Sequence, residues 1–244
     1  MSLCFFDIES DNLLTDATII WCIVAKVDDE YHIYYDNTHY ANLPDGSYYY
    51  SDIQQYLTFL SKHTLVGHNV ISFDLPLLKK LHGYNYSIDP ATLVDTHILS
   101  RLYNPDRPEH SLAYFGDLLK YPKGDHSDWS QFSQELLDYN IRDVDLTEAV
   151  YSHLLKEGAG WDWSEAIKLE YNIWDIQQRQ EQHGVLFDQK AAEKLLGKIQ
   201  TEIDTLESEI IKEIPPTYKD DGEVKKVFLK SGEYTQSVKT WLGE

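Results

Sequence analysis

Five residues of this 244-residue sequence could do chemistry together. Asp7 and Glu9 stand two apart in "MSLCFFDIES", where an apolar run meets acid. Residues two apart on a strand point to the same face, so both carboxylates leave one side of the ribbon. Asp74, in "GHNVISFDLPLL", stands where a short apolar strand and a turn give way to an amphipathic helix. Tyr139 and Asp143, in "LLDYNIRDVDLTEAV", are four apart and share a helical face. Carboxylates of this kind, if brought together, are ligands for hard divalent ions such as Mg²⁺ and Mn²⁺. Taken singly, each feature also has an ordinary reading: strand-end carboxylates in water, a helix N-cap at Asp74, and a surface Tyr–Asp pair.

The elements that must position these residues can be read in outline. "SLCFFDIES", "TIIWCIVAKV" and "EYHIYYD" read as three strands rich in β-branched and aromatic residues, joined as an antiparallel meander. "SDIQQYLTFLSKH" has helical spacing with Ser51 as N-cap, and "TLVGHN" is a short strand. "DLPLLKKLHG" is a helix closed by Gly83. "ATLVDTHILSRLY" is a strand or turn running into a helix, and "HSLAYFGDLL" is a further short helix inside a largely looped stretch, 104–130. A long helical stretch follows over "SQFSQELLDYNIRDVDLTEAVYSHLLKE", expected to break near its middle. "WSEAIKLEYNIWDIQQRQEQHG" is a helix ended by Gly184, and "DQKAAEKLLGKIQTEIDTLESEIIKEI" one capped by Asp188 and stopped by Pro215-Pro216. The last residues read as a β-hairpin. The chain is mixed α/β, with a change of character near residue 160.

Composition bounds the function without fixing it. The chain is 42% hydrophobic and 13% aromatic, which supplies a bulky core. Cys4 and Cys22 lie in apolar runs, which argues against a disulfide framework and for a reducing compartment. No run approaches the roughly 20 apolar residues of a membrane span, and the first residues lack the basic start of a signal peptide. The net charge of −20, read naively, argues against a nucleic-acid partner, which usually wants a basic face. It agrees equally well with carboxylates clustered to hold cations.

In order, Asp-x-Glu on the first strand, Asn-x-x-x-Phe-Asp in the middle and Tyr-x-x-x-Asp on a late helix resemble the DEDD 3′–5′ exonucleases, in their tyrosine-bearing branch. "VDTHILSRL", "HSLAYFGDLLKYPKG", "DYNIRDVDLT" and "QEQHGVLFD" extend the resemblance to the exonuclease part of bacteriophage Pol I-type (family A) DNA polymerases, over most of residues 1–190. The resemblance implies an RNase H-like (DnaQ-like) mixed sheet flanked by helices, with a helical C-terminal extension. It implies an exonuclease domain over 1–160, then over 161–244 a helical linker and the incomplete start of a polymerase thumb. No stretch matches the palm or fingers motifs of such a polymerase.

The implied activity is removal of 5′-mononucleotides from single-stranded or frayed DNA 3′ ends, as proofreading for a polymerase domain in the same or a separate chain. Two Mg²⁺ or Mn²⁺ ions, roughly 3.5–4 Å apart, would activate water and neutralise the leaving oxygen. Asp7 would bridge both ions, Glu9 and Asp143 would complete one site, and Asp74 would hold the second. Tyr139, with an ordinary pKa near 10, would orient the water rather than act as base. Leu13 would pack against terminal bases and Asn69 would hydrogen-bond the substrate end. Asp95 would support the site, His68 would be a structural histidine, and Asp145 and Glu148 would face solvent. The implied setting is the cytoplasm of an infected bacterial host, with no membrane partner. Two other readings stand beside this one: a free-standing RNA 3′-exonuclease of the same fold, and a catalytically dead scaffold.

Overall fold

The computed structural model describes residues 2–36 and 38–213, together with 232–234, 236, 238 and 239. Strand β1 (Leu3–Ser10) is apolar on both faces, and the sheet is built around it. Strands β2 (Ile20–Val27) and β3 (Glu30–Tyr35) follow as the expected antiparallel meander. A short strand that the sequence did not announce, β4 (Tyr48–Tyr50), lies parallel on the outer edge of β3. Three tyrosines are too short a run to read as a strand without the edge that recruits them. Helix α1 (Ile53–Leu60) leads to β5 (Thr64–Gly67), which pairs parallel with β1, and β6 (Leu93–Asp95) adds beyond it. The order across the sheet is β4-β3-β2-β1-β5-β6.

The helices are α2 (Asp74–His82), α3 (Thr96–Tyr103), α4 (Leu112–Leu118), α5 (Gln134–Glu157), α6 (Ser164–His183) and α7 (Gln189–Glu213). Alternation along β1 divides the core. Cys4, Phe6 and Ile8 pack with Leu57 and Leu60 of α1 and Leu75 and Leu78 of α2, while Phe5 packs with Leu137 and Val144 of α5. Asp7 and Glu9 share the parity of Phe5, so strand geometry alone aims them at the α5 face. The pairing of β1 with β2 slips between Glu9 and Ser10, where Ser10 faces Ile20 and Trp21 is left as an extra residue. A bulge of this kind bends a strand end and redirects its side chains.

Several expectations are corrected. Helix α1 is capped by Asp52, whose carboxylate accepts from the Gln54 N–H at 2.7 Å, and not by Ser51. Helix α5 runs unbroken for 24 residues. Its polar middle contains no Gly or Pro, and buried Leu136, Val144, Leu146, Val150 and Leu154 keep it on the core. Gly83 closes α2 in a left-handed conformation at φ 68°, and Gly184 ends α6, both as expected. Asp188 accepts from the Ala191 N–H at 2.9 Å, as an N-cap does. The Pro215-Pro216 stop and nearly all of the expected hairpin lie outside the described residues. Cys4 and Cys22 are free and buried. Among the described residues no helix is long and apolar enough to cross a membrane.

One compact unit spans Met1–Gly184 and a second begins at Val185. The first therefore continues past the change of character at residue 160. Helix α6 belongs to it because Tyr171 is buried against β6: its hydroxyl donates to the Leu93 carbonyl at 3.1 Å and accepts from the Asp95 N–H at 2.9 Å. Tyr171→Phe strands both backbone groups, and a buried unsatisfied donor costs about 1–3 kcal/mol. Chemical denaturation should show a loss of that size, with faster hydrogen exchange at Asp95 than at the centre of β1. An unchanged stability would mean that α6 is not fastened through Tyr171.

Candidate metal centre and active site

The bulged end of β1, the start of α2 and the middle of α5 converge on one cleft. Ligand oxygens of Asp7, Glu9 and Asp143 lie within 4.8 Å of one another. Glu9 and Asp143 are 7% and 2% exposed, and Asp7 is half-buried. Asp74 joins from α2, at 3% exposure. It does not cap its helix: Phe73 holds the cap position without a side-chain bond, and Asp74 is the first helical residue. Its carboxylate interacts with the Ile8 backbone N–H on β1.

The turn that delivers Asp74 is tightly made. A Cβ on Gly67 would fall 2.0 Å from Val70 Cγ1, so only glycine admits the chain's return. Asn69 takes a left-handed conformation at φ 66°, which Asn tolerates better than most residues. Asp95 is the fastener: it accepts from the Asn69 and Ile71 N–H groups at 3.0 and 3.1 Å and caps α3 through the His97 N–H at 2.9 Å. This is the supporting role expected for it. His68 is fixed by Thr96, at 2.9 Å between Nδ1 and Oγ1, and burial holds its pKa down at about 3. It stands outside the carboxylate group.

Electrostatics make the cleft a candidate cation site. Burial first, then Asp74, Glu9 and Asp143, push the Asp7 carboxyl well above its ordinary range. Burial and Asp143 do the same to Glu9. Burial raises Asp74 to about 7, and Asp143 is raised by burial in spite of Lys123, whose Nζ lies 2.8 Å from its Oδ2. Asp74 Oδ1 and Asp143 Oδ1 are buried without a hydrogen-bond partner. Buried polar atoms are almost always satisfied, and two orphaned carboxylate oxygens beside a compact acidic group fit hard divalent ions. Burial raises Tyr139 to about 12. A phenol held there is no base at neutral pH.

Beside Glu9 opens a cavity of about 330 Å³ lined by Ser10, Asn12, Leu13, Phe73 and Trp129. Leu13 is 75% exposed, so it is no core residue. Its loop is held from both sides. Asp11 accepts from the Thr18 and Ile19 N–H groups at 2.9 and 3.0 Å. Lys80 Nζ donates to the Leu14, Thr15 and Ala17 carbonyls at 2.8, 2.9 and 2.8 Å. Trp129 stands edge-on to Tyr139, with centroids 5.7 Å apart. Lys123, Trp129 and Lys80 were not found by sequence reasoning, because none sits in a spaced motif. Asp145 and Glu148 correct the expectation of solvent-facing acids. Both pair with Lys26 of β2, at 3.0 and 2.8 Å, and Tyr31 donates to Asp145 at 2.7 Å. A single lysine inside an apolar strand gave no sign of that pairing.

The raised carboxyls make stability depend on pH. A carboxyl whose folded pKa lies above its unfolded one binds more protons when folded, so stability falls as pH rises between the two values. For Asp74 that window runs from 3.8 to about 7. In chelator, the melting temperature should fall as pH rises through this window, and Mg²⁺ or Mn²⁺ should remove the fall. A flat profile in chelator would overturn the picture of mutually repelling carboxyls.

A model of the RNase H superfamily (RNase_H_2) matches residues 4–114. Over 87% of the chain there is 26% identity to a DNA-directed DNA polymerase of Enterobacteria phage T3, and likewise to one of Escherichia phage T7. The chain spans 36% of the length of each. A PolC-type DNA polymerase III of Mycoplasma pneumoniae is 32% identical over 113 residues, 43% of this chain and 8% of its own length. Brucella melitensis NrnC with bound Mg²⁺ superposes with a TM-score of 0.54 at 18% identity, covering 78% of this chain and 91% of NrnC. NrnC bound to pGG gives 0.55 at 15% identity, with the same shares. Residues 4–114 thus match the RNase H superfamily on a fold that the NrnC structures share, and most of the chain is similar to a part of the phage DNA polymerases.

Proposed function

We propose that this chain is a metal-dependent 3′–5′ exonuclease that releases 5′-mononucleotides from single-stranded or frayed DNA 3′ ends. It would serve as the proofreading part of a phage DNA polymerase, in the cytoplasm of a bacterial host, with residues 1–160 as the nuclease and 161–244 leading into the polymerase. The observation that carries this reading is the meeting of Asp7, Glu9 and Asp143 with Tyr139 beside an apolar cleft.

Asp7, Glu9, Asp74 and Asp143 would hold two Mg²⁺ or Mn²⁺ ions. Such ions acidify water and neutralise charge on the leaving 3′ oxygen. The chain's own residues do the rest. Tyr139 stays protonated near neutral pH and orients the attacking water through its hydroxyl. Leu13, Phe73 and Trp129 offer apolar surface to an unstacked terminal base, and stacking of this kind binds bases regardless of sequence. Asn69, at the turn before Asp74, would hydrogen-bond the substrate end. The net charge of −20 leaves extended duplex grip to the polymerase domain.

Asp7→Ala should leave less than a few per cent of the wild-type rate, while the melting temperature in chelator holds or rises because a repelling charge is gone. Higher residual activity would contradict the ligand assignment. Tyr139→Phe should slow cutting by about 10²-fold or less and leave the metal-induced rise in melting temperature intact. Loss as deep as that of Asp7→Ala would give Tyr139 a larger role. A paired end must first melt, which costs a few kcal/mol, so single strands should be cut faster than blunt duplex. Timed release of 5′-mononucleotides from 3′-ended DNA, blunt duplex and RNA of one sequence separates the readings. Equal rates on single strand and duplex would sink the frayed-end argument, and preference for RNA would favour the free-standing RNA exonuclease.

A further inference from the structure

A cation stands against the acidic cluster, and no spaced motif predicts it. Lys123 comes from the loop between α4 and α5. Its Nζ lies 2.8 Å from Asp143 Oδ2 and 5.0 Å from the centre of the Tyr139 ring, and a hydrogen-bonding interaction links it to the Tyr139 hydroxyl. Its backbone is built in. A Cβ on Gly116 would fall 2.8 Å from Lys123 N, so the loop presses onto α4 at the one residue that admits it. Tyr121 N–H donates to the Gly116 carbonyl at 2.8 Å, and Arg142 Nε donates to the Pro122 carbonyl at 2.6 Å. The guanidinium of Arg142 also lies 4.7 Å above the Tyr121 ring. Lys123 is thus delivered to the cleft by a fastened loop and is no free surface side chain.

An ammonium has three donors. Asp143 and Tyr139 engage two of them, and Lys123 takes only Oδ2 of Asp143, leaving the orphaned Oδ1 for an ion. Its side chain is 29% exposed and lines, with Tyr139, a second open cavity next to the carboxylates. A phosphodiester entering there meets four carboxylates, and like charges at such range repel strongly where water is excluded. We propose that Lys123 is a catalytic residue, and that its remaining donor contacts a non-bridging oxygen of the phosphate being cut. Its other contacts hold Asp143 and Tyr139 in register with that phosphate. This assignment rests on the exonuclease reading above.

The alternative is that Lys123 only neutralises Asp143. A cycle between protein and substrate separates the two roles. Binding would be measured, in Ca²⁺ and with the oligonucleotide checked intact afterwards, for a short single strand whose last linkage is either a phosphodiester or an uncharged methylphosphonate. Lys123→Met should weaken binding of the phosphodiester about tenfold, the scale of one charge-assisted hydrogen bond, and weaken the methylphosphonate less than twofold. Lys123→Arg should keep most of the phosphodiester affinity. At saturating Mg²⁺, Lys123→Met should also turn over about 10- to 100-fold more slowly. Should Lys123→Met fail to fold in chelator, Lys123→Gln gives the same comparison. Equal weakening of both oligonucleotides, or of neither, overturns the assignment while leaving the exonuclease reading in place. If the unsubstituted protein binds neither oligonucleotide, the exonuclease reading falls and this assignment falls with it.

Discussion

The constraint on which the site depends is the repulsion of four carboxylates that folding brings together and largely buries. Glu9, Asp74 and Asp143 are buried, and Asp7 sits between them half-buried. Each would be charged in an unfolded chain at neutral pH, and folding forces the charges together at low dielectric. Lys123 opposes them, through its ion pair with Asp143. Such a cluster is a standing cost to the fold, of the kind tolerated at functional sites.

The architecture holds the cluster in place with apolar and backbone bonds that owe nothing to it. Alternation on β1 sends Phe5 into the α5 core and carries Asp7 and Glu9 to the same side. Val144, next to Asp143, is buried in that core. Asp74 is fixed through the turn after Gly67, which Asp95 clamps and Tyr171 backs from α6. Asp95 is buried like the others but accepts several backbone N–H bonds. Its charge is therefore used up in structure, while two oxygens of Asp74 and Asp143 remain unsatisfied. That contrast separates the supporting carboxylate from the candidate ligands.

On the proposed function, the same logic explains how an acidic protein could offer a site to an anionic substrate. The apolar wall of Leu13, Phe73 and Trp129 would meet a base through its face and ask nothing of the phosphates. Lys80 spends its charge on three loop carbonyls, so it stiffens the Leu13 loop. Lys26 spends its charge on Asp145 and Glu148. Basic residues near the site thus serve chiefly to fix its walls, and Lys123 alone of these three stands among the candidate ligands.

The pairing of Asp7 with Glu9 and of Tyr139 with Asp143 was legible in the sequence because strand and helix periods are local, while Asp74 entered through the family resemblance. Period two places Asp7 beside Glu9, and four residues place Tyr139 above Asp143. The meander, the Gly83 and Gly184 helix ends and the Asp188 cap were legible for the same reason: each rests on bonds between near neighbours. What spacing could not supply was any contact between distant stretches. Tyr171 is 76 residues from Asp95 and Lys26 is 119 from Asp145. The position of Lys123 rests on a loop pressed to Gly116 and Arg142, a packing event with no periodic trace. The sequence by itself placed the candidate carboxylates on their elements. Only the tertiary structure decided which stay unsatisfied, which lysine stands among them and where α6 belongs, because burial and charge pairing exist only once remote segments close on one another.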